Sequence, residues 1–201
     1  MQKLPQSYFL SDDVVHLAKD LIGKYLFVNT EDVVTGGIIV ETEAYKGPED
    51  VGSHAYNHRR TNRNDIMYSA GGVVYMYICY GIHDMLNIVT GPENTAHAIL
   101  IRAIQPTEGL DVMRERRKVR NEDSRLCRGP GALAKALALK KVHNGISLQD
   151  NEIWIEDRGP RFQESELIAG PRIGLNISEP YKSIPWRFYV KGNPHVSRPH
   201  L

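Results

Sequence analysis

Two glutamates and a tyrosine alternate along the stretch Glu41-Thr42-Glu43-Ala44-Tyr45. In an extended strand, residues two apart face the same side, so Glu41, Glu43 and Tyr45 are predicted to share a face. Neighbouring carboxylates raise each other's pKa, which suits a general base or a metal ligand. An exposed strand edge with solvated glutamates accounts for the same pattern, and the spacing alone does not choose between the two glutamates.

Tyrosines recur in the apolar run from Tyr75 to Tyr80, and Gly81 follows that run directly. Tyr75 and Tyr77 are predicted to share a strand face, whereas Tyr80 is predicted to lie at the tip of a hairpin. Buried tyrosines usually fill a core and bond their hydroxyl group. Three tyrosines within six residues, one of them at a hairpin tip, instead favour a stacking pocket for a base with a wedge beside it.

A basic loop lies between these two motifs. Residues 51–64 contain His54 and three arginines but no acidic residue. Two further basic stretches cover 111–128 and 181–201, and the last of them includes Arg198. Gathered on one side of the fold, the three stretches would attract a polyanion, whereas scattered as solvated loops they would carry no function.

A single arginine, Arg102, interrupts the apolar run from Ile99 to Ala103. A buried arginine must be paired, and Glu43 is a natural partner for it. A structural salt bridge, or an arginine that reaches water at the end of a strand, explains the same residue.

The elements that must position these residues are short and do not alternate regularly. Ser11 as the N-cap, two aspartates, an apolar stripe and Gly23 predict a helix over residues 11–22. Further helices are predicted at Leu110–Val119 and Ala132–Leu139, and strands at Tyr25–Asn29, Val34–Tyr45 (bulged at Gly36-Gly37), Val73–Tyr80, Met85–Thr90, Ala98–Ile104, Ile153–Ile155, Ile173–Asn176 and Phe188–Val190. We therefore expect an α+β fold in which residues 1–201 form a single compact domain, with a mainly antiparallel curved sheet flanked by helices and a protruding β-hairpin.

The composition excludes several classes of protein. The chain has 201 residues, a net charge of +1, 41% hydrophobic and 24% charged residues, which are ordinary globular values and unlike those of a disordered tail, a collagen or a coiled coil. Its two cysteines, Cys79 and Cys127, are too few and too far apart for a disulfide scaffold or a Cys-rich zinc module. Neither an export signal nor an apolar run long enough to span a bilayer is visible, so we expect a cytosolic protein.

In their order along the chain, the motifs resemble those of the alkyladenine (3-methyladenine) DNA glycosylase family. The resemblance covers nearly the whole sequence. The matching segments are IVETEAYKGPED (39–50), SHA (53–55), T-x-R-N-x-x-M (61–67), YMYICYG (75–81), Asn87-Ile88, ILIRAIQP (99–106), Leu126-Cys127 with Gly129-Pro130, and RFYVKGNP (187–194).

This resemblance implies a monofunctional enzyme of base excision repair that works without a metal or another cofactor. It would flip a damaged purine such as 3-methyladenine, 7-methylguanine, hypoxanthine or ethenoadenine out of double-stranded DNA and hydrolyse its N-glycosidic bond to leave an abasic site. We expect a monomer that does not associate with membranes. It would lie in the cytoplasm with the nucleoid if the source is bacterial, and in the nucleus if it is eukaryotic.

The resemblance also assigns roles to three residues at the reaction centre. Glu43, the second glutamate of the pair, would activate the water that attacks C1′ of the deoxyribose. Arg102 and the backbone carbonyl of Val190 would help to hold the same water.

Five further residues would bind the DNA. Tyr45 and Tyr77 would sandwich the flipped base, and His54 would offer a hydrogen bond at its edge. Asn87 would oppose the 2-amino group of guanine. Tyr80 would intercalate into the gap that the flipped nucleotide leaves.

Three rival functions use the same residues. A non-catalytic nucleic-acid-binding module would keep the tyrosines and the basic loops, but binding alone does not require a carboxylate opposite a phosphate-rich ligand. A metal-dependent nuclease would place Glu41, Glu43 and Asp50 around magnesium and would lose activity in EDTA. A bifunctional glycosylase/lyase needs an amine nucleophile, and Lys46 is predicted to point away from the face of Tyr45.

Overall fold

The computed structural model describes residues 2–119, 123–159 and 161–197. Its strands are β1 (Gln2–Lys3), β2 (Tyr25–Thr30), β3 (Val33–Tyr45), β4 (Val74–Cys79), β5 (His83–Thr90), β6 (His97–Glu108), β7 (Ile153–Asp157), β8 (Leu167–Gly170) and β9 (Arg187–Val190). Its α-helices are α1 (Gln6–Phe9), α2 (Val14–Asp20), α3 (Leu110–Arg117) and α4 (Pro130–Ala136). Short 3₁₀ helices lie at Gly47–Glu49, Tyr56–His58, Asp65–Tyr68, Asp123–Arg125, Lys141–His143 and Glu164–Glu166.

The described strands form a single nine-stranded open sheet in the order β1-β7-β2-β3-β6-β5-β4, and β9 joins β3 to β8. Every pairing between these strands is antiparallel, which confirms the predicted α+β fold with a mainly antiparallel sheet. Within the described residues, no helix has the length and apolar character that crossing a membrane requires.

Strand β3 is the longest strand and contains the predicted bulge. Its register against β6 shifts between Gly36, which pairs with Glu108, and Gly37, which pairs with Pro106. A Cβ atom on Gly37 would lie 2.1 Å from the carbonyl oxygen of Gln105, so only glycine fits this crossing. The bulge bends β3 and lets its second half leave β2 and pair with β9 instead.

Helix α2 covers one face of β3. The hydroxyl of Thr42 donates to the carbonyl of Ala18 in this helix at 2.6 Å. Because side chains alternate along a strand, Glu41 and Glu43 on either side of Thr42 face away from α2. The helix begins two residues later than predicted, since the N-cap is Asp13, whose side chain accepts the N–H of His16 at 2.9 Å, whereas the hydroxyl of Ser11 accepts the N–H of Asp13.

The hairpin of β4 and β5 forms one end of the sheet and is supported by a small second core. This core lies under residues 46–72 and is separate from the main cluster; its members are Ala55, Met67, Tyr68, Tyr75, Val89, Ala96 and Ala98. It attaches the long loop to the base of the hairpin.

Two predictions for the C-terminal third of the chain were wrong. Residues 173–176 form no strand, and β8, which was not predicted, pairs with β9. Arg187, counted in a basic surface stretch, is fully buried. Arg198, of the same stretch, lies outside the described residues.

Candidate active site

Four hydrogen bonds hold the carboxylate of Glu41, which is fully buried. Its Oε1 accepts from Nε of Arg102, from Nε of Arg187 and from the hydroxyl of Ser197, each at 2.8 Å. Its Oε2 accepts the backbone N–H of Ser197 at 2.7 Å. With four donors, two of them guanidinium groups, Glu41 is held as a structural anion.

The carboxylate of Glu43 is equally buried but has fewer donors. Its Oε1 accepts the backbone N–H of Ile173 at 2.7 Å and lies 3.2 Å from Nη1 of Arg102. Its Oε2 accepts the hydroxyl of Tyr45 at 2.8 Å. Glu43 thus has three described donors, one of them a guanidinium group, whereas Glu41 has four donors, two of them guanidinium groups.

Arg102 connects the two glutamates, as the sequence predicted for Glu43. The expectation that the two carboxylates raise each other's pKa was wrong for Glu41. Burial favours the neutral acid, but the guanidinium groups of Arg102 and Arg187 outweigh this effect and hold the pKa of Glu41 below its ordinary value. Two buried cations therefore balance two buried anions.

Val190 lies at the end of β9, one residue after Tyr189, which pairs with Glu41. Its carbonyl oxygen accepts the N–H of Asn193 at 3.3 Å, and a carbonyl oxygen has a second lone pair. Strand β9 thus brings Val190 to the edge of β3 that carries the glutamates.

A cavity is lined in part by Tyr45, whose hydroxyl donates to Glu43. Its wall contains the four predicted base-binding residues, which come from β3, the loop after it, β4 and β5: Tyr45, His54, Tyr77 and Asn87. Burial and then the carboxylate of Glu43 hold the pKa of Tyr45 well above its usual range. The Tyr45 hydroxyl therefore stays protonated, and one side chain both lines the cavity and donates to Glu43.

Aromatic rings gather at the side of the cavity formed by β4. The ring of His54 lies 4.6 Å from that of Tyr77, and its Nδ1 lies 2.7 Å from the hydroxyl of Tyr75. Burial, together with the charges of Arg63 and Arg59, lowers the pKa of His54 to about 4. The imidazole is therefore neutral at physiological pH, and its partner hydroxyl stays protonated because burial raises the pKa of Tyr75.

The hairpin tip beyond the cavity exposes apolar side chains. Tyr80 has a φ of 49° and is 88% exposed, and Ile82 is 74% exposed. Beside the cavity, Arg59 and Arg63 line a second groove that also contains His54. An exposed aromatic ring at the hairpin tip and a basic groove that shares His54 with the cavity are features typical of a nucleic-acid surface.

Some residues at this centre were not predicted. Ser197 and Arg187 bind Glu41, Ile173 binds Glu43, and Arg172 lies over the ring of Tyr45 with its guanidinium 4.7 Å from the ring centre. Of these residues, only Arg187 could have been found from the sequence, because it lies inside an apolar strand, as Arg102 does, and a buried arginine must be paired. Backbone donors and loop residues leave no periodic pattern in a sequence.

The carboxylates proposed for a nuclease do not form a metal site. Asp50 is buried and accepts from both terminal nitrogens of Arg172. Across the described ranges, no group of three or more His, Cys, Asp or Glu side chains is placed to hold a metal ion. Lys46, the candidate amine nucleophile, lies 3.1 Å from the carboxylate of Glu49.

Comparison with known proteins identifies the family. Residues 8–194 match the family model described as "Methylpurine-DNA glycosylase (MPG)". Relatives named "Putative 3-methyladenine DNA glycosylase" occur in several bacteria. The protein of Chlamydia felis is 47% identical over 188 residues, which cover 93% of this chain and 95% of the relative.

Two further relatives bear the same name. That of Natranaerobius thermophilus is 42% identical over 94% of this chain and 96% of its own length. That of Bacillus cereus strain ZK is 36% identical over 98% of this chain and 100% of its own length. Since both the family model and these relatives match almost the whole sequence, the chain belongs to the methylpurine-DNA glycosylase family and is a DNA glycosylase of base excision repair.

Proposed function

We propose that the chain is a monofunctional glycosylase that removes alkylated or deaminated purines from double-stranded DNA. The observation that carries this proposal is the position of Tyr45, which lines the aromatic cavity and donates a hydrogen bond to Glu43. A base held against this ring has its glycosidic bond close to a buried carboxylate. The whole chain, 1–201, would act as one catalytic domain and as a monomer.

Base capture rests on stacking. Tyr45 and Tyr77 would enclose the flipped purine, and each stacked base gains about 1–3 kcal/mol. This gain offsets the few kcal/mol that unpairing costs, and the cost is smaller where damage has already weakened the pair. A cationic base such as 3-methyladenine or 7-methylguanine gains a further cation–π attraction.

His54 would read the edge of the base. With Nδ1 accepting from the hydroxyl of Tyr75, the neutral imidazole carries its proton on Nε2 and donates it to a purine acceptor. The neutral form is the one that its low pKa favours.

Hydrolysis would use a water held by Glu43, Arg102 and the carbonyl of Val190. The water oxygen bonds to C1′ of the deoxyribose, its proton passes to the Glu43 carboxylate, and the electron pair of the N-glycosidic bond leaves with the purine. The transition state resembles an oxocarbenium ion, which the same carboxylate stabilises electrostatically. A cationic base leaves readily, whereas a neutral one such as hypoxanthine or ethenoadenine must gain a proton.

Tyr80 would insert between base pairs and fill the space of the flipped nucleotide. The DNA backbone would follow the groove that Arg59 and Arg63 line. Because the relatives are bacterial, this activity would take place in the cytoplasm, on the nucleoid.

The experiment is a cleavage assay in EDTA. End-labelled duplexes that carry hypoxanthine or ethenoadenine, and randomly methylated DNA, are incubated with the protein and then treated with alkali. Cleavage that appears only after alkali is the expected result for a metal-free monofunctional glycosylase. Cleavage without alkali would contradict the monofunctional reaction, and tight binding without any cleavage would favour a binding module.

A further inference from the structure

Arg172 is a buried cation that the proposed reaction does not use. Its Nη2 donates to Oδ1 of Asp50 at 2.8 Å, and its Nη1 donates to Oδ2 of the same carboxylate. Nη1 also donates to the carbonyl of Ala44 at 3.1 Å. This bidentate ion pair joins the loop of residues 171–175 to strand β3 and to the start of the loop that follows it.

The same guanidinium contacts the ring of a residue in the cavity wall. It lies 4.7 Å from the ring centre of Tyr45 and 5.3 Å from that of Trp186. Tyr45 lines the cavity, whereas Arg172 is not part of its wall. A planar cation in cation–π contact with the ring of Tyr45 helps to hold that ring in place in addition to its apolar packing.

The residues next to Arg172 contact the reaction centre directly. The backbone N–H of Ile173 donates to Glu43 at 2.7 Å, and Leu175 lines the cavity. On the other side of the ion pair, Asp50 accepts the N–H of Gly52, another cavity residue, at 2.8 Å. A shift of Arg172 would therefore move the stacking ring, the carboxylate and the cavity loop together.

We propose that Arg172 is a positioning residue for base excision, which fixes the ring of Tyr45 and, through Ile173, the carboxylate of Glu43 relative to each other. This role rests on the proposed function. Catalysis depends on such alignment, since a displacement of about 1 Å can lower a rate about 100-fold.

The test compares Arg172→Lys with a matched control, Arg158→Lys. Arg158 also lies over an aromatic ring, 4.5 Å from the centre of Tyr25, and donates to Glu156 at 2.9 Å, but it follows β7, away from the cavity. Lysine keeps the charge next to the carboxylate in both variants and removes the planar stack. Base release is measured in single turnover with saturating enzyme on a duplex that carries ethenoadenine.

We expect Arg172→Lys to release the base about 10- to 100-fold more slowly than the wild type, and Arg158→Lys to match the wild type. The rate constant with saturating enzyme does not depend on the folded fraction, so a purely structural role would not change it. In a Glu43→Gln background, ethenoadenine fluorescence should show weaker stacking for Arg172→Lys. A release rate within twofold of the wild type would overturn the proposal.

Asp50→Asn provides a second test of the positioning role if Arg172→Lys does not fold. Asparagine has the shape of aspartate and keeps one acceptor oxygen for the guanidinium of Arg172. We expect release about 10-fold slower than in the wild type, and a wild-type rate would again overturn the role of Arg172. Wild-type protein that releases no base from any lesion would refute the proposed function itself. Release by the wild type and by both variants alike would refute only the positioning role.

Discussion

At the scale of single residues, the proposed role of Asn87 is to exclude guanine from the cavity. Its side chain is buried, and Nδ2 donates to the carbonyls of Tyr75 and Met85 at 3.2 and 3.3 Å. The amide is thereby fixed at the wall, where it would meet the 2-amino group of guanine. Asn87→Ser should raise the release of guanine from undamaged duplex by about 10-fold or more, counted as alkali-labile sites. An unchanged substrate range would contradict this role.

His54 makes stability depend on pH, because its pKa is about 4 in the folded protein and 6.5 in the reference state. Between these values, only the unfolded chain takes up a proton as the pH falls. The free energy of unfolding therefore decreases from pH 6.5 to pH 4, by on the order of 2 kcal/mol from this residue. Denaturation of His54→Asn should show a shallower dependence over this window, and equal slopes in both proteins would contradict a buried, neutral His54.

The residue pattern predicted which residue types gather at the site but not which of them have a structural role and which a proposed catalytic one. The residue pattern alone does not distinguish Glu41 from Glu43; the family resemblance favours Glu43, and in the structure the two carboxylates have different donors. These donors include Ser197 and Ile173, whose backbone N–H groups belong to irregular segments without a periodic pattern. Arg172 was missed for the same reason, since nothing in a single sequence relates it to Asp50 or Tyr45.

At the scale of elements, the β4–β5 hairpin carries the proposed wedge. Tyr80 is 88% exposed, so it contributes little to folding, and its removal should act on DNA binding alone. Tyr80→Ala should weaken binding to a lesion duplex by about 1–3 kcal/mol in a titration, whereas Tyr80→Phe, which keeps the ring, should bind like the wild type. Equal affinity of Tyr80→Ala and the wild type would exclude the wedge.

Elements with a strong local pattern were predicted correctly, and those defined by distant partners were not. The glycine pair in β3 signalled its bulge, and the alternation after it placed both glutamates on one face. The segment 173–176 has apolar residues typical of a strand, but it has no described strand partner and instead donates a backbone N–H to Glu43. Strand β8 exists because β9 lies next to it, a pairing that no local pattern indicates.

At the scale of the whole molecule, a net charge of +1 gives no general attraction to DNA, so binding must depend on local clusters. Arg59 lies in the groove beside the cavity and is exposed. Arg59→Gln should lower the slope of log K against log salt concentration by about 1, because one phosphate contact is lost. Lys3→Gln, on β1 at the far end of the strand order, should leave the slope unchanged, and equal slopes in all three proteins would contradict this DNA surface.

A single-turnover measurement of Glu43→Gln tests most directly whether Glu43 activates the water that hydrolyses the glycosidic bond. Glutamine keeps the shape of the side chain but cannot take a proton from water. We predict binding to a hypoxanthine duplex close to that of the wild type and base release at least about 100-fold slower. Glu49→Gln, which changes an exposed glutamate nearby, should release the base at the wild-type rate. Release by Glu43→Gln at the wild-type rate would contradict a catalytic role for Glu43.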